Sequence, residues 1–337
     1  MKKAGLVLVL CCFVATLSAQ IPSGAMVVAQ DGSGQFRTVQ EAVNAVRSFT
    51  PEPKVIFIKK GVYMEKVCIE TWHTDITLLG EDMDETVISW DDYNGKPGNG
   101  NAYWSDAYSD LVDKRSPNRN GTFLSATLMV MGNDITVENL TVRNTAGRVG
   151  QALAIHVEGD RVIFRHCRLL GNQDTVYLGR GGSRVYFSDC YITGTTDFIF
   201  GPSTAVFSRC TIHCLTNSYI TAASTPANIP YGFVLMDCEI TADPSCRSVY
   251  LGRPWRKDAA TAFIRCTMGD FIAPAGWGNW NSPANEKTAR YAEYGNTGPG
   301  AAAQARVGWA RQLTADEASA YTVDRIFQGV GGVWIPE

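Results

Sequence analysis

Six segments in the middle of the chain share one pattern, an alternation of apolar and polar residues suited to strands with one buried face. They are Ile135–Val142, Val162–Leu169, Arg184–Ile192, Ala205–Ile212, Phe233–Ile240 and Ala262–Met268. Aligned on Leu140, Cys167, Cys190, Cys210, Cys238 and Cys266, they recur at intervals of 27, 23, 20, 28 and 28 residues. That is the period of a solenoid coil, too long for successive strands of a sandwich. The pattern predicts an all-β, single-stranded parallel β-helix, in which equivalent strands stack about 4.8 Å apart and equivalent side chains form ladders inside the cylinder.

An open solenoid has two ends to close. Thr38 to Glu41 has the form of a capping box, and Val39, Ala42, Val43 and Val46 give the helix behind it an apolar face fit to cover the N-terminal end. Thr314 to Glu317 predicts a second short helix near the C-terminus. The stretch from Asp91 to Asn120 is rich in Gly, Asn, Asp and Tyr without periodicity, and reads as a long loop of the kind that carries function.

On this plan Cys167, Cys190, Cys210, Cys238 and Cys266 form an internal stack. A small, soft, usually buried side chain suits such a place, so core filling is the first reading. A disulfide framework is the alternative, because neighbouring rungs lie close enough to bridge. The spacing of Cys and His matches no zinc site.

The first residues change the picture of where the chain works. Lys2 and Lys3 precede an apolar run from Leu6 to Ala15 and the small residues Ser18 and Ala19, the three-part layout of a secretory signal. The run is short of the roughly 20 residues that a membrane anchor needs. Residues 1–19 are therefore expected to be a cleaved signal peptide, and residues 20–337 one catalytic domain, secreted or periplasmic, without stable membrane insertion and monomeric by default. Loss of Lys2 and Lys3 takes the formal charge from −3 to −5. A mildly acidic chain with no basic run does not suit nucleic acid as a partner.

Familiar catalytic arrangements are absent: no nucleophile elbow, no His-Glu-x-x-His, and four histidines in all. What stands out are polar residues among glycines and aromatics, at Gln151, at Gln173-Asp174, at Asp197 within Asp-Phe-Ile-Phe-Gly, and at Arg253 before Pro-Trp255. Asp174 and Asp197 are 23 residues apart, the interval between Cys167 and Cys190. They should sit at equivalent positions of neighbouring coils, side by side on one face. Two close carboxylates do not both ionise easily, which makes an acid beside a base. Arg253 can supply a counter-charge through its fork of donors, and Gln151 and Gln173 neutral donors for an oxyanion. Each residue alone also has a structural reading, as turn cap, amide ladder or ion pair.

These segments, together with Asp31–Ala42, Gly61–Glu65 and Glu293–Gly300, resemble the pectin methylesterases, or pectinesterases, over nearly the whole chain after the signal. The resemblance implies a right-handed β-helix that hydrolyses the C6 methyl esters of galacturonate units in pectin, with no cofactor and no metal. It implies Asp197 as nucleophile, Asp174 as acid and then base, Gln151 and Gln173 at the oxyanion, and Arg253 orienting Asp197. It further implies sugar contacts from Tyr177, Thr196, Phe200, Trp255 and Trp277. Val176 departs from the family's more usual Leu, a conservative change. The rival readings are a pectate lyase or polygalacturonase on the same fold, or a non-catalytic carbohydrate-binding β-helix.

Overall fold

The structure, a computed structural model, describes residues 20–97, 121–329 and 332–336. The signal expected over residues 1–19, and all of the Asp91–Asn120 stretch beyond residue 97, lie outside the described residues. The described chain winds into a right-handed parallel β-helix. One full coil illustrates the rest: Arg184–Ser188, then Tyr191–Gly194, then Ile199–Gly201, each strand continuing into a different sheet. The first sheet stacks 11 strands, the second 8 and the third 7, and every neighbouring pair within these three sheets is parallel.

The corner between first and second sheets repeats with little variation. Each turn is two residues long, and the first adopts a left-handed backbone: Asn139, His166, Asp189, Arg209, Asp237 and Arg265, with φ between 49° and 56°. The second is the aligned residue, Leu140 or a cysteine, turned inward and buried. Its carbonyl accepts from the next coil, as in Tyr191 N–H to Cys167 and Thr211 N–H to Cys190, both 2.9 Å, so the corner's polar backbone is paired rung by rung.

All eight described cysteines are buried, which fits core filling, and the disulfide alternative has no bond among the described residues. Beside them run flat aromatic stacks, Phe164 on Phe187 at 5.0 Å and Phe187 on Phe207 at 4.5 Å. Such ladders extend one apolar core along the axis.

Both predicted helices are present. Val39–Ala45 has the full capping box at Thr38 and Glu41, and buries Val39, Ala42 and Val43 in the main core. Ala315–Ala318 has the same box at Thr314 and Glu317. The C-terminal segment then lays Ile326 and Phe327 on the outer face of the first sheet, against Val206, Val234 and Ile264. Arg184 fastens it, donating to the carbonyls of Phe327 and Gly332 while its guanidinium is held by Asp160.

Candidate active site

The second corner, from the second sheet into the third, is longer and carries the chemistry. Val176 pairs with Ile199 and Tyr177 with Phe200, so Asp174 and Asp197, each two residues before its strand, occupy equivalent places on adjacent coils. Both have left-handed backbones, φ 66° and 50°. Asp tolerates that conformation better than most residues. The Asp174 N–H donates to the Thr196 carbonyl, and the Asp197 N–H to that of Tyr219, which ties each to the coil above.

These carboxyls meet in one open cleft of about 260 Å3 on the outside of the third sheet. Gln151, Gln173, Arg253, Phe200 and Trp255 line it with them, together with Thr122, Phe123, Ala222 and Trp280. Gln151 and Gln173 pair as a β-bridge. Asn94 holds Gln151 from outside, its amide donating to Gln151 Oε1 at 2.7 Å and its backbone N–H to the Gln151 carbonyl. With its oxygen engaged, Gln151 has its amide N–H groups free to donate into the cleft.

The two aspartates differ in their partners. Arg253 donates to both oxygens of Asp197, Nε to Oδ1 at 2.9 Å and Nη2 to Oδ2 at 2.6 Å. Among the described residues no hydrogen bond reaches the Asp174 carboxyl. Burial, and then the charge of Asp197, push Asp174 up to about 8. Asp197 is also raised by burial, with the hydrogen bonds and charge of Arg253 pulling it back. At neutral pH the site thus holds a protonated carboxyl beside one whose ionised form is braced by a guanidinium.

An aromatic row crosses the coils at the cleft: Phe123 stacks on Tyr177 at 4.6 Å, Tyr177 meets Phe200 at 4.7 Å, and Phe200 meets Trp255 at 5.8 Å. Of the residues expected at the sugar, Tyr177 is buried between Phe123 and Phe200 behind the lining, and two more are placed elsewhere. Thr196 turns its hydroxyl to Ser218 at 2.9 Å and does not line the cleft. Trp277 is 1% exposed, packed on Phe263 and Tyr291 with its indole N–H donating to Glu293. Its backbone bridges Gly252 of the third sheet, which turns the ring inward, and Trp280, three residues on, takes the place on the cleft. The sequence reading also passed over Asn94, inside the aperiodic stretch, and Thr122 and Phe123, just beyond it, which carry no repeat signal. No group of three or more His, Cys, Asp or Glu is placed to hold a metal among the described residues.

A paired-carboxyl cleft beside an aromatic row on the flank of a parallel β-helix marks out a class of proteins by fold and site. Comparison with known proteins narrows it. Residues 25–330 match the family model described as Pectinesterase. Pectinesterase 31 of Arabidopsis thaliana is 37% identical over 296 residues, covering 86% of this chain and 88% of its own. Probable pectinesterase/pectinesterase inhibitor 23 of the same plant is 36% identical over 326 residues, 92% of this chain. This chain spans only 53% of that longer relative. Among solved structures, the pectin methylesterase from carrot superposes with a TM-score of 0.80 at 32% identity, over 91% of this chain and 94% of its own. A pectin methylesterase in complex with a hexasaccharide gives 0.76 at 28% identity, over 94% and 99%. The chain belongs to the pectinesterase family.

Proposed function

We propose that this protein is a carboxylic-ester hydrolase that removes the C6 methyl esters of galacturonate units in pectin, releasing methanol and de-esterified pectin. The observation that carries the reading is the asymmetry of the register-matched aspartates, Asp197 chelated by Arg253 and Asp174 unpaired with its carboxyl raised to about 8.

An ionised Asp197 attacks the ester carbonyl carbon, and the oxyanion that forms accepts hydrogen bonds from the amides of Gln151 and Gln173. As the tetrahedral centre collapses, the carbon–methoxy bond breaks and Asp174 gives its proton to the departing oxygen, so methanol leaves neutral. The product is an anhydride between the uronate and Asp197. Asp174, now ionised, takes a proton from water as its oxygen attacks the uronyl carbon of the anhydride. That step frees the galacturonic acid and returns Asp197 as carboxylate and Asp174 as acid. No redox step or external base is needed.

Phe123, Phe200, Trp255 and Trp280 line the cleft and offer it apolar surface for pyranose rings. The hexasaccharide complex of the related esterase supports a sugar chain as the occupant. The same reading has the enzyme exported once residues 1–19 are removed, acting on the polymer outside the cell. No helix among the described residues is long and apolar enough to cross a membrane.

The test is to feed methyl-esterified pectin to the wild-type and Asp197→Ala proteins, following methanol and acid together. Wild type should release both in equal amounts, and Asp197→Ala neither, with its melting transition kept. Ultraviolet-absorbing unsaturated ends would mean a lyase instead, and binding without product a carbohydrate-binding module.

A further inference from the structure

Arg253 is held by more than Asp197. Its guanidinium carbon lies 4.3 Å from the centroid of the Tyr219 ring and 3.9 Å from that of Trp280. The Tyr219 ring is itself fixed: Tyr250 stacks on it at 5.1 Å, and Gly278 presses so close that a Cβ there would fall 2.7 Å from Tyr219 Cε1. Tyr219 is also the residue whose carbonyl accepts from the Asp197 N–H, so one residue meets the carboxylate's backbone and its guanidinium partner. Trp280 and Asn281 follow in left-handed conformation, φ 60° and 54°, a tight turn that brings the indole over the guanidinium.

From this geometry we propose that Tyr219 is a positioning residue. Its ring, with Trp280, confines the Arg253 guanidinium so that its edge donors stay on both oxygens of Asp197. The inference rests on the esterase reading above and assigns the control of its nucleophile. A guanidinium next to π faces exposes less of its surface to water, leaving its N–H edge as the polar outlet, and Asp197 occupies that edge. An arginine with free faces would trade the fork for water, and the aspartate would lose charge support and aim. Other titratable groups around the pair are Asp174 on the preceding coil, the buried Tyr291 below, Tyr250 behind Tyr219, and Glu286 in the hollow outside Trp280. None of them changes in the variants proposed. Tyr219 makes the better test than Trp280, because Trp280 also lines the cleft and would mix positioning with sugar contact.

Steady-state methanol release across pH tests it in Tyr219→Phe, Tyr219→Leu and Gly278→Ala. Tyr219→Phe keeps the π face and should stay within about twofold of wild type. Tyr219→Leu should lose about tenfold in kcat with KM little changed. Its acidic limb should move up by about half a unit to one unit, as Asp197 becomes harder to ionise. Gly278→Ala displaces the ring without removing it and should move the same limb in the same direction, so the inference stays testable if Tyr219→Leu does not fold. An unmoved acidic limb in Tyr219→Leu or Gly278→Ala would overturn it, as would equal damage from Phe and Leu. A wild-type protein that frees no methanol overturns the esterase reading instead, a different and separable result.

Discussion

Two corners of this β-helix use one backbone device to opposite ends. At the first, Asp189 sits in left-handed conformation and is chelated by Arg209 of the next coil at 2.9 and 2.7 Å. At the second, Asp197 sits in left-handed conformation and is chelated by Arg253 at 2.9 and 2.6 Å. The hydrogen bonds are nearly superimposable, and the environments are not. The Asp189 and Arg209 side chains are 32% and 58% exposed, and the Arg209 hydrogen bond holds Asp189 below the usual carboxylate range. The Asp197 and Arg253 side chains are 8% and 24% exposed, and burial outweighs the same fork and lifts Asp197. Water decides between a surface brace and a poised carboxylate. The second corner also places another carboxyl, Asp174, on the preceding coil, where the first has His166.

The comparison breaks most visibly by deletion. Asp197→Ala should lower methanol release by about 1,000-fold or more. Asp189→Ala, at the surface corner, should leave kcat and KM as they were. Next, Arg253→Met should cost about 100-fold in kcat, because the buried carboxylate loses its only fork, whereas Arg209→Met should change activity less than twofold and stability by about 0.5 kcal/mol or less.

Acidity sharpens it. The rate should fall on the acid side as Asp197 takes a proton and on the alkaline side, near pH 8, as Asp174 loses one. The same burial acts on stability. An aspartate raised to about 8 in the fold but near 4 when unfolded costs nothing below pH 4. Its penalty grows between pH 4 and 8, where the unfolded chain alone has released the proton. Asp174→Asn should therefore melt higher than wild type at pH 8, by an upper bound of several kcal/mol, and equal to it at pH 4. Calorimetry at the two pH values checks this. The mildest loss expected within the second corner belongs to Asn94→Ala, which frees the Gln151 amide to rotate and should cost a few-fold in kcat with little change in KM.

The coil could be read from the sequence because it is a local rule repeated. Each of the five aligned cysteines, Cys167 to Cys266, announces a two-residue turn, and the interval from Cys167 to Cys190 carries over to Asp174 and Asp197 through shared register. Residues outside that rule were harder to place. Trp277 and Trp280 lie beyond the last strand of the third sheet, and only the bridge from Gly252 to Trp277 decides which ring turns inward. Thr196, expected at the sugar from the family resemblance, faces Ser218 while its neighbour Asp197 takes the cleft. Asn94, inside the aperiodic stretch and 57 residues from Gln151, and Phe123, just beyond that stretch, reach the site with no periodicity to announce them.

The claim on which the account turns is that Asp174 carries a proton at neutral pH beside an ionised Asp197. Carboxyl-carbon NMR of protein labelled at aspartate, read against Asp174→Asn, measures it directly. The resonance missing from the variant should titrate near pH 8. A midpoint near 4, in the ordinary aspartate range, would contradict the account, because no acid would then stand ready for the leaving methanol.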